Sequence, residues 1–265
     1  MTKWKSALAE GKLTEALEVL IENIKASPKD ATLRSSFIEL LCIDGNFERA
    51  DEQLMQAIKL FPEYLSGASQ LRHFVKAAQA RKDFFHGAAT AQFVSDHEGL
   101  NRLLIEFNLA LKNNDQRNAY NLTSEIEQQR VKKSFSQGGN IYDDVRDIDD
   151  QLGGYIELFS TAGNYFLVPI ANVKQLELKT PSSLLETIWR PVEFDIEGLG
   201  EGEGHTPLTY IGSQSDAQKL GRETDWQQVG EQELFVGLGQ KCWLVGKTAL
   251  PLFDLKLLEE TVLTA

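Results

Sequence analysis

Cysteine is scarce in this 265-residue sequence, which contains only Cys42 and Cys242, two hundred positions apart. Cysteines so far apart form neither a Cys-x-x-Cys motif nor a disulfide framework, which excludes zinc fingers and disulfide-stapled secreted domains. We expect both to be buried free thiols in a reducing compartment, without a redox role.

Long hydrophobic runs are also missing. No segment reaches the roughly 20 apolar residues that a membrane-spanning helix needs, and the N-terminal sequence lacks the apolar stretch of a signal peptide. We therefore expect a cytoplasmic protein. Its 42% hydrophobic and 25% charged residues are ordinary for a globular chain that buries a core.

Positive charge is deficient in the second half of the chain. Residues 1–140 carry 18 Lys and Arg against 18 Asp and Glu, whereas residues 141–265 carry 9 against 21. The whole net charge of −12 thus falls in the second half, which predicts a domain boundary near residue 140. Because nucleic acids and anionic membranes attract basic surfaces, neither is an expected partner.

The first half contains an internal repeat. Residues 11–28 and 45–62 share a glycine, an alanine five positions later and a closing proline, at an offset of 34 residues. This is the period and pattern of a tetratricopeptide repeat. Gly11 and Gly45 suit the turn between two helices, where a positive φ is tolerated. Ala16 and Ala50 are small where the paired helices approach each other.

Fainter helical signals continue the array. Residues 64–82 form one more predicted helix, residues 84–96 a loop, and a degraded third repeat begins at Asn114. We predict that residues 1–140 form a tetratricopeptide-like α–α superhelix whose groove, lined by the first helix of each unit, binds a peptide or helix. The candidate groove residues are Lys5, Ser35, Glu39, Asn101 and Asn108.

Residues 141–265 are predicted to form an acidic β-rich domain, which makes the whole chain an α+β multidomain protein. Residues 155–159 and 165–168 flank Gly163 and indicate a hairpin. Further short strands with glycine punctuation favour a small barrel-like domain or a sandwich. The glycines at 198, 200, 202 and 204 are interpreted as a flexible loop, residues 169–178 as a helical turn, and residues 255–260 as a terminal helix.

Two polar clusters in the second half have structural and functional interpretations. The acidic segment at 143–150, which includes Asp147 and Asp149, is either a structural turn or a divalent-ion site. An EF-hand loop starting at Asp147 would place leucine at the glycine and glutamate positions, so that motif is excluded. Arg222, Asp225 and Trp226 form either a buried Arg–Asp lock or an exposed contact surface.

Catalytic motifs are absent from the sequence. The four histidines lack metal-type spacing, the spaced glycines match no phosphate-binding loop, and no G-x-S-x-G nucleophile elbow occurs. We therefore expect neither an enzyme nor a cofactor. An enzyme with an unrecognised site in the β domain, and a repeat scaffold for some other partner, remain the alternative hypotheses.

Several motifs resemble the ImpE (TagJ) family of bacterial type VI secretion accessory proteins. They are the run from Asp147 to Glu157, the Arg-Glu-Thr-Asp-Trp run from Arg222 to Trp226, and the Gly-Leu-Gly-Gln-Lys run ending at Lys241. The resemblance implies an adaptor that acts on the contractile sheath. Its expected partner is a helix near the N-terminus of the small sheath subunit and, through that subunit, the ClpV-type AAA+ ATPase. It supplies no catalytic residues.

Overall fold

The computed structural model describes residues 2–89, 91–94 and 99–261. Helices occupy the first part of the chain and strands most of the second. The helices of the first part are α1 Lys3–Ala9, α2 Leu13–Ala26, α3 Ala31–Asp44, α4 Phe47–Leu60, α5 Leu65–Phe85, α6 Leu100–Lys112 and α7 Gln116–Gln129.

Local signals at the helix ends match the repeat pattern. Asp30, Asn46 and Asp115 cap α3, α4 and α7, each accepting a hydrogen bond from a backbone N–H of the first turn. Gly11 (φ 83°) and Gly45 (φ 82°) are left-handed, as the turns between paired helices require. The helix-turn-helix pairs are therefore present, while their assignment to a tetratricopeptide superhelix remains a prediction.

The strands are short, and most belong to one sheet. They are β1 Gln92–Phe93, β2 Phe135–Gln137, β3 Asn140–Tyr142, β4 Val145–Asp147, β5 Tyr155–Ser160, β6 Tyr165–Pro169, β7 Val173–Leu178, β8 Trp189–Ile196, β9 Gly200–Pro207, β10 Thr224–Gln228, β11 Phe235–Gly239, β12 Cys242–Val245, β13 Thr248–Pro251 and β14 Leu257–Glu260, with the short helix α8 Asp216–Lys219 between β9 and β10.

The main sheet is open. Its order is β1-β6-β5-β9-β8-β7-β14-β2-β3, and a three-stranded sheet β13-β12-β4 and the hairpin β10-β11 accompany it. The predicted hairpin is confirmed as β5 and β6, with Gly163 at φ 83° in its turn. The barrel prediction is wrong: among the described residues the outer strands β1 and β3 do not pair, so the main sheet keeps two edges.

The glycine-rich segment is a strand and not a flexible loop. Residues 200–207 form β9, which pairs along its length with β8. A Cβ on Gly202 would lie 2.8 Å from Phe194 Cζ, and one on Gly204 would lie 2.6 Å from the carbonyl oxygen of Phe159. These glycines therefore permit close packing.

The C-terminal segment corrects another expectation. Residues 257–260 form β14 rather than a helix, and this strand lies between β7 and β2 in the sheet. Leu258 is fully buried there, so burial and pairing outweigh the helix propensity of Leu, Lys and Glu.

Residues 169–178 are predicted from the sequence to form one helical turn. They contain a short 3₁₀ turn, Ile170–Asn172, which is followed by strand β7.

A continuous hydrophobic core joins the helices to the sheet. Trp4 and Phe107 of the helices belong to the same buried cluster as Tyr155, Phe159 and Trp189 of the strands. A second cluster, centred on Leu176 and Trp243, lies within the β half. The helices end at Gln129 and the next strand begins at Phe135, while the predicted boundary at residue 140 remains a prediction.

Replacing Ala50 with leucine should destabilise the protein by about 1–3 kcal/mol, because overpacking forces neighbouring groups apart. Ala50 is completely buried in α4. The measurement is the free energy of unfolding in denaturant, with Ala26→Leu at the exposed end of α2 as the matched control. Equal stability of the two variants would contradict the assigned helix contact.

Candidate functional site

A buried cluster of charged side chains lies where α5 meets the sheet. Glu157 of β5 is fully buried, and Arg81 of α5 reaches it with Nε 2.6 Å from Oε1 and Nη2 2.9 Å from Oε2. Arg81 Nη2 also donates to the backbone oxygen of Thr209 at 2.9 Å. Lys241 donates to Glu157 Oε2, and Tyr165 Oη donates to Oε1 at 2.8 Å.

Glu157 is ionised despite its burial. Removal from water by itself raises the pKa of a carboxyl, but the charges of Arg81 and Lys241 outweigh this effect and bring the pKa of Glu157 to about 2. Two cations surround one anion, so the carboxylate is the common partner of the cluster. We call Arg81, Glu157, Lys241 and Tyr165 the Glu157 network.

The Glu157 network is absent from the sequence-based candidates. Arg81 lies 76 positions before Glu157, and Lys241 lies 84 positions after it. Glu157 and Lys241 each end one of the family motifs, but no motif joins either residue to Arg81. The available signal was a single glutamate inside the apolar strand Tyr155–Ser160, whose burial pattern is almost uninterrupted. A charge in such a position requires a buried partner.

The acidic segment is a structural turn that binds backbone N–H groups. Asp147 Oδ1 accepts from Tyr210 Oη at 2.8 Å and from the N–H of Asp149 at 2.9 Å. Asp149 accepts from the N–H of Gln151 at 2.7 Å and of Gly237 at 2.9 Å. These bonds fasten the segment to β11. Among the residues that the structure describes, no group of three or more potential metal-binding side chains occurs.

Burial also changes the protonation of this turn. It raises the pKa of Asp147 to about 6, although the charge of Lys241 opposes the shift. Burial, together with the neighbouring Asp147, raises the pKa of Asp149 to about 8. Asp149 is therefore protonated at neutral pH, and its burial there leaves no isolated charge.

The predicted groove residues fall into two sets. Three of them face the chain's own β half or the helix core. Glu39 accepts from the N–H of Leu185 at 3.1 Å, Asn101 accepts from Tyr155 Oη at 2.6 Å, and Asn108 is 5% exposed, with its amide donating to Leu104. Lys5 and Ser35 are exposed. The β half therefore contacts two of the five predicted groove residues, Glu39 and Asn101.

Arg222, Asp225 and Trp226 do not form a buried Arg–Asp lock. Arg222 donates to the backbone oxygens of Leu8 at 2.6 Å and Ala9 at 2.9 Å, across to the end of α1. Asp225 is exposed and accepts from the N–H of Trp226. Trp226 is half-buried against Tyr210, with ring centroids 5.7 Å apart. Arg222 thus caps a helix in the other half of the chain.

An apolar cleft remains open between α3, α4 and α5. Its volume is about 510 Å³, and Ser35, Ile38, Leu54, Tyr64 and Leu71 are among its lining residues. Large hydrophobic side chains are exposed on α4 and α5 and in the short turn between them: Met55, Leu60, Tyr64 and Leu65. We call this feature the α3–α5 cleft. Clefts of this composition are typical of sites for amphipathic helices.

None of the helices in the described part of the chain is long and apolar enough to cross a bilayer. The fold, the Glu157 network and the α3–α5 cleft together define a class of protein: a helical array fastened to an acidic β-rich half, with an open apolar surface suited to a protein partner.

Comparisons with known proteins give this class a family. Residues 139–259 match the model of the ImpE protein family. The chain is 25% identical over 260 residues to the type VI secretion system accessory component TagJ of Pseudomonas aeruginosa, covering 95% of this chain and 89% of that protein. It is also similar to the crystal structure of protein VPA1032 from Vibrio parahaemolyticus, at 64% identity, 98% coverage of both chains and a TM-score of 0.96. The chain therefore contains an ImpE-family domain at residues 139–259 and resembles TagJ over nearly its whole length.

Replacing Glu157 should cost more stability than replacing Arg81. Glu157→Gln leaves two buried cations without a counterion and should lower the free energy of unfolding by about 3–5 kcal/mol. Arg81→Met leaves Glu157 and Lys241 as a one-to-one pair and should cost less. Chemical denaturation of both variants is the measurement. A larger loss in Arg81→Met would show that the contact with Thr209, and not the charge balance, dominates.

Asp149 should make the protein less stable as the pH rises. Its folded pKa of about 8 lies above its usual value, so its contribution is complete below about pH 4 and is lost as the pH rises through 8. Between these pH values the free energy of unfolding should fall by up to about 1.4 kcal/mol per pH unit. Asp149→Asn removes this dependence on pH. Unfolding free energies at pH 5, 6.5 and 8 should show the variant gaining on the wild type. Parallel profiles would contradict a protonated Asp149.

Proposed function

We propose that this protein is a non-enzymatic adaptor of a bacterial type VI secretion system, acting in the cytoplasm. The observation that supports the proposal is the relationship to TagJ, which extends over 95% of this chain and therefore includes both the helices and the strands. A shared accessory role is the simplest reason why the two proteins are similar in both the helical and the β-rich parts.

The partner implied by the family resemblance is a helix near the N-terminus of the small sheath subunit. We propose that this helix docks in the α3–α5 cleft. The cleft combines apolar walls with Ser35, Arg34 and Glu63, which are polar groups able to contact the polar side of an amphipathic helix. Glu39 and Asn108 are less suitable contacts, because the chain's own groups already bind them.

The adaptor role extends to the ATPase through the sheath subunit. A protein that holds the small subunit by a short helix leaves the rest of that subunit free for the ClpV-type AAA+ ATPase. Affinity for the helix is expected to be modest, because an isolated peptide must become ordered as it docks.

The test is fluorescence anisotropy with a labelled peptide covering that sheath helix. Wild type should bind at micromolar concentration. Ser35→Arg places a long charged side chain in the cleft and should weaken binding by about tenfold or more, because burying an unpaired charge costs well over 1.4 kcal/mol. Ser66→Arg is the matched control, since Ser66 is exposed on α5 and does not line the cleft.

Glu39→Arg distinguishes docking in the α3–α5 cleft from docking in the groove that the repeat pattern predicts. If Glu39→Arg abolishes binding and Ser35→Arg has no effect, the helix docks on the groove face and the cleft assignment is wrong. Absence of binding by the wild type at several hundred micromolar peptide would contradict the proposed partner itself.

A further inference from the structure

A second cavity lies between the helices and the β half, on the open side of the Glu157 network. Its volume is about 330 Å³, enough for about ten water molecules at their liquid volume of ~30 Å³ each. Arg81, Trp189 and Tyr210 are buried among its lining residues, while Lys82, His86 and Gln214 are exposed and line its mouth. We call it the Arg81 cavity.

Arg81 supplies unused donors to this cavity. A guanidinium has five N–H donors, and three of them are spent on Glu157 and the Thr209 carbonyl through Nε and Nη2. The two N–H groups of Nη1 have no partner among the described residues. Arg81 is 6% exposed, and it lines the cavity. Charged donors in such a position favour an acceptor that carries negative charge.

The other charges around the cavity reinforce this preference. Lys82 at the mouth makes two long contacts, 3.5 Å to the carbonyl oxygen of Gly45 and 5.9 Å to the centre of the Phe47 ring. The acidic side chain on the wall, Asp44, is already paired with Lys219 at 2.9 Å. The cavity is therefore locally positive although the protein as a whole carries a net charge of −12.

One part of its lining is apolar. Phe47 and Trp189, with ring centroids 6.0 Å apart, line the cavity together with Ile43 and Ile188. Small-molecule sites typically combine such walls with a few polar groups that fix the ligand's orientation, in volumes of about 300–1,000 Å³.

We propose that the Arg81 cavity binds a small organic anion, with a carboxylate or phosphate group on Arg81 Nη1 and Lys82 and an apolar body against Phe47 and Trp189. Because α3, α5 and the segment after β9 all contribute walls, a bound anion stabilises the contact between the helices and the sheet. The site is separate from the α3–α5 cleft, so the sheath-peptide test is independent of it.

The probes are benzoate and phenyl phosphate, with neutral benzamide as the matched ligand control. Isothermal calorimetry and saturation-transfer NMR on the full chain should show saturable binding of at least one anion in the millimolar range or tighter, and much weaker binding of benzamide. Preference between the two anions identifies the headgroup. Binding also raises the unfolding temperature, because the ligand occupies only the folded state.

Variants at the mouth test the location without disturbing the Glu157 network. Lys82→Gln should weaken anion binding by about tenfold, the order expected for losing one charge-assisted hydrogen bond. Lys76→Gln, an exposed lysine on the same helix that does not line the cavity, should leave it unchanged. Gln214→Trp should block the entrance and abolish binding.

Three outcomes would overturn the proposal. The first is that neither anion saturates the protein at concentrations about ten times above the millimolar range. The second is that benzamide binds as tightly as the anions. The third is that Lys82→Gln and Lys76→Gln weaken anion binding equally. The last would assign binding to the general charge of α5.

Discussion

Glu157 is a carboxylate placed in the middle of an apolar strand, where water cannot solvate it. An isolated charge in such a place is prohibitively unfavourable, so the fold has to bring cations to it. Arg81 comes from a helix 76 residues earlier, and Lys241 from a loop 84 residues later. The bond from Arg81 to Glu157 holds α5 against the sheet. The bond from Lys241 to Glu157 holds the segment before β12 next to β5.

Much of the remaining architecture follows from that placement. With α5 held against β5 and β6, the adjacent helices also turn one side toward the strands, and Glu39 and Asn101 bond to the β half. The hydrophobic core becomes continuous across the two parts of the chain. The α3–α5 cleft and the Arg81 cavity are two of the surfaces that stay open to other molecules.

This arrangement bears on which surfaces of the helices are open to a partner. A helical array with an empty concave face would offer that face to a partner, as repeat proteins commonly do. Here Glu39 and Asn101, two of the residues expected on that face, bond to the chain's own β half. The two halves share one buried hydrophobic core, and Arg222 of the β half bonds to the end of α1.

The amino-acid sequence by itself determined the local structure: the 34-residue repeat, the glycine turns at Gly11 and Gly45, the hairpin around Gly163, and the family motifs. These depend on contacts within about 40 residues, which periodicity and turn chemistry describe directly. The tertiary structure decided that residues 257–260 form a strand, that Gly202 and Gly204 permit close packing, and that Glu157 is paired. Each of these depends on groups distant in the chain, and a single sequence contains no local pattern that specifies which distant groups will meet.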